Sequence, residues 1–388
     1  AVKDSGLTMS ATAQFKPEGY SLEDNQGSLA GYIQRSWDGD SVGQALAFGY
    51  LHEYDRGDQA GFQAALDQMS GQVLNSQAIQ MKTVFTTGLS DSLSCPAVTT
   101  AGYKLNQTNC TWIQLAGSIA EQSSTSSNLG YHVTSGGVRL GAQKQINADW
   151  RTGFALGYAN NYLTATGLTS NGEFFNASAS IKKKFERWSF GGSLGLAHGW
   201  FQNYRTPQLG GNGAAGSMKE QYTSDSTMTM VALRLRVAYE YERGGHYIKP
   251  YVDFDAIYSR QPGYTEQGTG VLALKAHSNS QYNIGITPMI EYGTDVVTDG
   301  KRRIKAFVSA GVSFLPNNKV STQMAFVNGL SSAGTYDATT DGPTVLGRLN
   351  VGIQAYESDS LEVRAQYGLQ AGEGYWSQSV SANLLYRF

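Results

Sequence analysis

From about Thr111 to the last residue, apolar and polar side chains alternate with a period of two, the pattern of strands that turn one face to an apolar medium. At the end of the chain Trp376, Val380, Ala382, Leu384, Tyr386 and Phe388 share one parity, and Ser377, Ser379, Ser381, Asn383 and Arg387 take the other. The same separation recurs in twelve segments, near residues 111–119, 131–142, 150–158, 175–185, 188–200, 231–241, 248–258, 282–292, 304–314, 349–355, 361–369 and 376–388. Short connections (146–148, 186–187, 243–246, 294–301, 357–360) alternate with mostly long, polar ones (122–130, 160–172, 202–226, 260–280, 316–342). An even number of strands with short turns on one rim and long loops on the other describes an outer-membrane β-barrel. Only a closed barrel satisfies every backbone group in lipid without a helix.

Composition agrees. Charged residues are 15% of the chain, against about a quarter in soluble domains, and no run reaches the roughly 18 apolar residues a spanning helix needs. Glycine, 46 of 388 residues, suits twisted strands with crowded faces. With 29 basic and 31 acidic residues the chain is nearly neutral, so nothing in its charge argues for nucleic acid. The opening AVKDSG has neither a basic nor an apolar export signal, as expected at a processed or internal boundary.

Aromatic residues fall in two belts: Trp150, Trp188, Tyr241, Tyr292, Tyr356, Tyr386 and Phe388 near the short turns, and Tyr158, Trp200, Tyr258, Tyr282, Phe314 and Trp376 near the long loops. Two girdles are the mark of a membrane barrel. Pro250 and Pro288 fall inside strands, where local bulges are expected.

The first 110 residues differ, with six basic residues against eleven acidic ones. Helical spacing runs through 22–54 and 62–69. A third helix, about 75–93, places Ala78, Met81, Phe85 and Leu89 on one stripe, among the polar residues Ser76, Gln77, Gln80, Lys82, Thr83, Thr86 and Thr87. Such a helix is about 27 Å long, close to the height of a barrel's apolar band, and twelve strands leave a lumen wide enough for it. The polar parity of the strands puts Arg139, Arg151, Arg234, Arg236, Glu240, Asp253, Asp255, Glu291, Arg303, Lys305, Arg348 and Arg364 in that lumen. Cys95 and Cys110 are the only cysteines. In an exported chain they are expected to pair, which would contribute about 3 kcal/mol by loop closure and pin the helix exit to the first strand.

Leu7-Thr8-Met9, Asp24-Asn25-Gln26, the run from Ala65 through Leu66, Asp67, Gln68, Met69 and Ser70 to Gly71, Cys110-Thr111-Trp112, the run Gly153-Phe154-Ala155-Leu156-Gly157-Tyr158 and the terminal Tyr386-Arg387-Phe388 follow in order. In these features nearly the whole chain resembles the translocator domain of a monomeric autotransporter of the pertactin-like, type Va secretion family. The resemblance implies an outer-membrane barrel of a Gram-negative bacterium through which an N-terminal passenger reaches the surface, the linker helix remaining as a plug. It implies a monomer in outer-membrane lipid, recognised by the barrel-assembly machinery through a terminal aromatic strand with Tyr386 and Phe388. Residues 1–20 would end the passenger, 21–110 would be the linker and 111–388 the barrel. Many members cut themselves between two Asn residues in the pore; here the helix region has only Asn75, and Asn160-Asn161 and Asn317-Asn318 are expected in long-rim loops.

Enzymatic readings are weaker. Gly191-Gly192-Ser193-Leu194-Gly195 fits G-x-S-x-G, but that motif needs a strand-to-helix elbow and strand continues on both sides. Gly211 to Gly216 formally fits G-x-G-x-x-G without a following helix. His52, His132, His198, His246 and His277 lack metal-ligand spacing, and Asp253 and Asp255 face Arg234, Arg236 and Lys249 rather than a His. No cofactor, metal or catalytic group is expected. A passive channel or an adhesin barrel is the alternative to a translocator.

Overall fold

The computed structural model describes residues 14–39, 51, 58–93, 99–100, 103–104, 109–125, 128–209, 218–299, 302–356 and 360–388. Twelve long strands form an antiparallel ring: β1 (Cys110–Gln122), β2 (Tyr131–Gln145), β3 (Trp150–Ala165), β4 (Leu168–Phe185), β5 (Trp188–Arg205), β6 (Tyr222–Tyr239, resuming as Tyr241–Arg243), β7 (His246–Gln261), β8 (Asn279–Asp299), β9 (Arg302–Phe314), β10 (Val345–Tyr356), β11 (Leu361–Gly372) and β12 (Tyr375–Arg387). Each pairs with its neighbours in sequence. The ring closes where Tyr375 lies opposite Gln122 and Arg387 opposite Cys110.

Closure fixes which parity faces in. On β6, Val231, Leu233, Leu235 and Val237 are exposed on the outside while Ala232 and Arg234 are buried within, the inverse of a soluble protein and the arrangement a lipid-embedded wall requires. The two aromatic belts lie on this outer face, with one correction. Tyr356 is buried and points inward, because Ala355 carries the outward parity of β10.

Three further expectations are corrected. Residues 160–172 are not a long loop. The β3–β4 ladder continues to Ala165 opposite Leu168 and turns at Gly167, whose φ of +69° is a conformation suited to glycine. Asn160 and Asn161 are therefore paired within strands; polarity there marks where the sheet leaves the apolar layer, not where it ends. By the same reasoning β5 reaches Arg205 and β6 begins at Tyr222, which shortens the expected 202–226 connection, and β8 reaches Asp299. Finally, Pro250 and Pro288 interrupt a ladder without shifting its register; the shift on β8 falls between Asp295 and Val297. A missing N–H removes one hydrogen bond, which a long ladder tolerates.

The N-terminal region supplies α1 (Asp24–Asp38), α2 (Gln59–Ser70), a 3-10 turn (Gln72–Asn75) and α3 (Ser76–Ser92). A capping box joins Glu23 to Gln26 at the start of α1, and Gly71, at φ +68°, ends α2 and turns the chain toward the lumen. Helices α1 and α2 sit on the long-loop rim. There the loops form a four-stranded sheet of Tyr264–Thr265, Leu274–Ala276, Lys319–Phe326 and Tyr336–Asp341. Leu29, Tyr32, Ile33, Phe62, Leu66 and Met69 from the helices share one core with Leu272, Leu274, Met324, Phe326, Tyr336 and Ala338 from the loops. The barrel mouth is thus covered by a packed second core.

Candidate functional site

Helix α3 runs from this cover down the lumen, its last turn at the short-turn end of the strands. Its apolar stripe does not face a void: Ala78, Ile79, Met81, Phe85 and Leu89 pack against Ala159, Phe174, Ala197, Phe201, Met228, Met230 and Ala232 of β3 to β6. The wall makes room for it with small residues. A Cβ on Gly195 would lie 2.6 Å from Leu89 and 3.0 Å from Phe85. Full burial of side chains such as Phe85 and Leu89 contributes roughly 1.5–3 kcal/mol each, so the helix is held by an apolar contact on one flank.

Polar contacts set its height. At the upper end Gln77 donates to Ser170 and Asn203, Gln80 donates to the Tyr131 hydroxyl at 3.2 Å, and Lys82 donates to Asn318. At the lower end Arg139 pairs with Asp91 at 2.6 Å and donates to the Val84 carbonyl at 2.8 Å. Ser90 receives hydrogen bonds from Arg234 and Arg236, and Ser92 lies 2.7 Å from Ser193. The last carbonyls are capped, Ser92 by the Ser180 hydroxyl at 2.8 Å and Leu93 by Lys182 at 3.0 Å. Cations and donors at a helix C-terminus satisfy the orphan carbonyls and the negative end of its dipole.

The lumen residues named from parity all lie on the inner face, with different partners. Arg234 forms a bidentate pair with Asp255, 2.7 Å for each bond, and Arg236 with Asp253 at 2.6 and 2.7 Å. The two aspartates are therefore neutralised by arginines. Glu291 accepts from Tyr247 at 2.9 Å with Lys249 at 3.8 Å. Arg303 donates to Asp295 at 2.9 Å, and Lys305 lies 4.0 Å from it. Arg364 reaches Gln366 and lies over the Phe307 ring, while Arg151, Glu240 and Arg348 line a cavity of about 600 Å³ between the helix and the opposite wall.

Of the helix residues, Thr83, Thr86 and Thr87 bond to carbonyls of their own helix rather than to the wall, and the Ser76 hydroxyl is buried without a partner. Asp91 and Lys182 are not among the residues the sequence singles out; Asp91 is the lone carboxylate of α3, which is the available signal. Ser193 stands in mid-strand, bonded to a helix serine. No metal-ligand cluster occurs among the described residues. Residues 211–216, His52 and Cys95 lie outside the described residues, whereas Cys110 is buried beside Leu385 and is not a free thiol. Tyr386 and Phe388 are outward and exposed, their rings stacked at 6.2 Å.

A closed barrel, apolar outside and charged within, whose lumen is occupied by the helix preceding its first strand, defines a class of outer-membrane barrel in which the pore and its occupant are one chain. The autotransporter beta-domain family model matches residues 111–368, and the chain belongs to that family. It is an outer-membrane translocator domain that exports a passenger. In fold it is similar to the translocator domain of the autotransporter NalP from Neisseria meningitidis, with 12% identity, 81% of this chain and 98% of that chain covered, and a TM-score of 0.60. It is also similar to the beta domain of the Bordetella autotransporter BrkA, with 16% identity, 72% and 99% covered, and a TM-score of 0.50. A search of curated proteins gave no match.

Proposed function

We propose that residues 111–388 carry the passenger, ending within residues 1–20, through the lumen, and that the linker of residues 21–110 then closes it. The long-loop rim, with α1 and α2 on it, faces the cell surface, and the short turns face the periplasm. Helix α3 stays behind as a plug. The observation that carries this reading is the fit of α3 to the wall at both ends, from Gln77 to Ser170 and Asn203 above and from Asp91 to Arg139 below. In a constitutive channel these anchors would have no role.

Three finer assignments go with it. The barrel works as a monomer in outer-membrane lipid. Its last strand, ending in Tyr386 and Phe388, is what the barrel-assembly machinery recognises. Cys95 pairs with Cys110 in the oxidising periplasm and ties the end of the helix segment to β1. Expressing the chain behind a signal peptide with a small reporter fused before Ala1 tests the whole. The reporter is expected to become protease-accessible on intact cells. A reporter that remains periplasmic while the barrel inserts overturns the proposal.

A further inference from the structure

We infer that the outward face of β3 to β6, where these strands rise above the apolar layer on the long-loop side, is a platform that binds the saccharide of the lipopolysaccharide around the barrel. The ladder register divides this face into rows that run across neighbouring strands. Leu156, Leu196, Val231, Tyr258 and Tyr282 stand level on the outside, an apolar and aromatic row of the lipid-facing wall. The next row, Tyr158, Phe175, His198 and Thr229, is mixed. Above it come Asn160, Glu173, Trp200 and Thr227, and then Tyr162, Asn171, Gln202 and Asp225. A charged group on the lipid face is costly inside the apolar layer, so Glu173 and Asp225, both exposed, place these two rows above it. On β9 and β10 the ring ends at an apolar pair, Phe314 opposite Val345. The raised wall is one-sided.

Aromatic rings stand uncovered in these polar rows. Trp200 and Tyr162 are each 47% exposed, and Tyr204, one row higher, is 39% exposed. Trp200 is held in place, edge-on to Phe175 with centroids 6.1 Å apart and against His198 at 4.6 Å, while His198 Nδ1 lies 2.8 Å from the Thr229 hydroxyl. Clustered exposed rings bordered by polar groups mark an interaction surface. A sugar ring fits this one, because its C–H face packs on an aromatic face while its hydroxyls donate and accept around the rim. Asn160, Asn171 and Gln202 offer both donors and acceptors beside Trp200, and rigid Tyr and Trp give contact area at low entropic cost. With rows about 7 Å and strands about 4.8 Å apart, the patch from Asn160 to Tyr204 is about 14 Å on a side, the footprint of a short oligosaccharide. These rows hold two carboxylates and no lysine or arginine, so the contact is to sugar hydroxyls rather than to lipid phosphate.

Position fixes the source. The patch continues the lipid-facing wall upward and projects sideways, into the headgroups of the surrounding leaflet. With the long-loop rim at the cell surface, the reading on which this inference rests, those headgroups are lipopolysaccharide. The full chain in detergent is titrated calorimetrically with the saccharide released by mild acid from the lipopolysaccharide of the expression strain, which carries no acyl chains, and in a second arm with intact lipopolysaccharide. Saturable binding is expected in both arms, weakened about tenfold or more in Trp200→Ala and unchanged in Tyr282→Ala, which removes a ring from the lipid-facing row. If Trp200→Ala does not fold, the double variant Asn171→Leu with Gln202→Leu is measured in its place with the same expectation. Binding of intact lipopolysaccharide alone assigns the contact to the lipid part and overturns the platform, as does absence of saturable binding in both arms or equal binding by the platform variants. The titration needs no membrane orientation. A reporter that stays periplasmic strikes the export reading and leaves saccharide binding measurable, whereas lost binding beside a surface-exposed reporter strikes the platform alone.

Discussion

Asp67 shows what a single residue in the mouth cover does to its stability. Its carboxylate accepts from the Gln26 amide at 3.0 Å and from the Gln72 amide at 3.3 Å, joining α1, α2 and the turn into the lumen. Burial pushes its pKa up to about 6, against the lowering effect of those two amides. A group whose folded pKa lies above its unfolded value favours the folded state below the unfolded pKa, and that contribution is lost as pH rises through the folded value. The cover should therefore be tighter at pH 4.5 than at pH 7.5, by about 1 kcal/mol once screening at this partly exposed site is discounted. Hydrogen exchange of the Gln59–Ser70 segment, corrected for intrinsic rates, checks this. Asp67→Asn should abolish the slope between pH 4 and 6 whatever its effect on absolute stability, and an unchanged slope would assign the dependence to another group.

At the scale of the element, α3 is defined by what the wall lacks. Gly195 leaves the space that Leu89 and Phe85 fill, so Gly195→Leu should force the helix off the wall; overpacking of this kind costs about 1–3 kcal/mol. In planar bilayers the variant is expected to open intermittently where the parent is closed. Phe85→Ala, which alone removes roughly 3–5 kcal/mol of packing, should partly close the pore again when combined with Gly195→Leu, because the added leucine occupies the vacated volume. Additive opening in the double variant would show that the two sites do not share that space. The helix and its stripe were legible from the spacing of Ala78, Met81, Phe85 and Leu89, since an apolar stripe reports its own period. The identity of the residues gripping it was not. Ser193 and Gly195 have the ordinary composition of a lumen wall, and only the seating of the helix against the folded wall brings Ser193 within 2.7 Å of Ser92.

For the whole molecule, the strands were readable because each carries its own alternation and pairs with its neighbour, whereas the mouth cover joins distant stretches of chain. Leu272, Leu274 and Ala276 do alternate, as do Met324 and Phe326 and then Tyr336 and Ala338, but their partners are α1 and α2, some 200 to 300 residues earlier. Read as polar loops, these segments concealed a second core. Its fixed point is Arg205 at the end of β5, which pairs in bidentate fashion with Glu266 at 2.8 and 2.7 Å and donates to the carbonyls of Leu272 and of Gln68 in the linker. Glu266 in turn accepts from the Leu274 N–H at 2.8 Å. Removing one member of a buried pair leaves an uncompensated charge and costs about 3–5 kcal/mol, here borne by a sheet of short strands and two helices rather than by the barrel ladders. Glu266→Gln should therefore release the cover while the barrel stays closed. On intact cells, protease is expected to cut within residues 58–70 of the variant but not of the parent, while the barrel keeps its heat-modifiable migration. Equal protection of both would mean that the apolar core holds the cover without the ion pair. Loss of the barrel along with the cover would mean that the two fold as one unit.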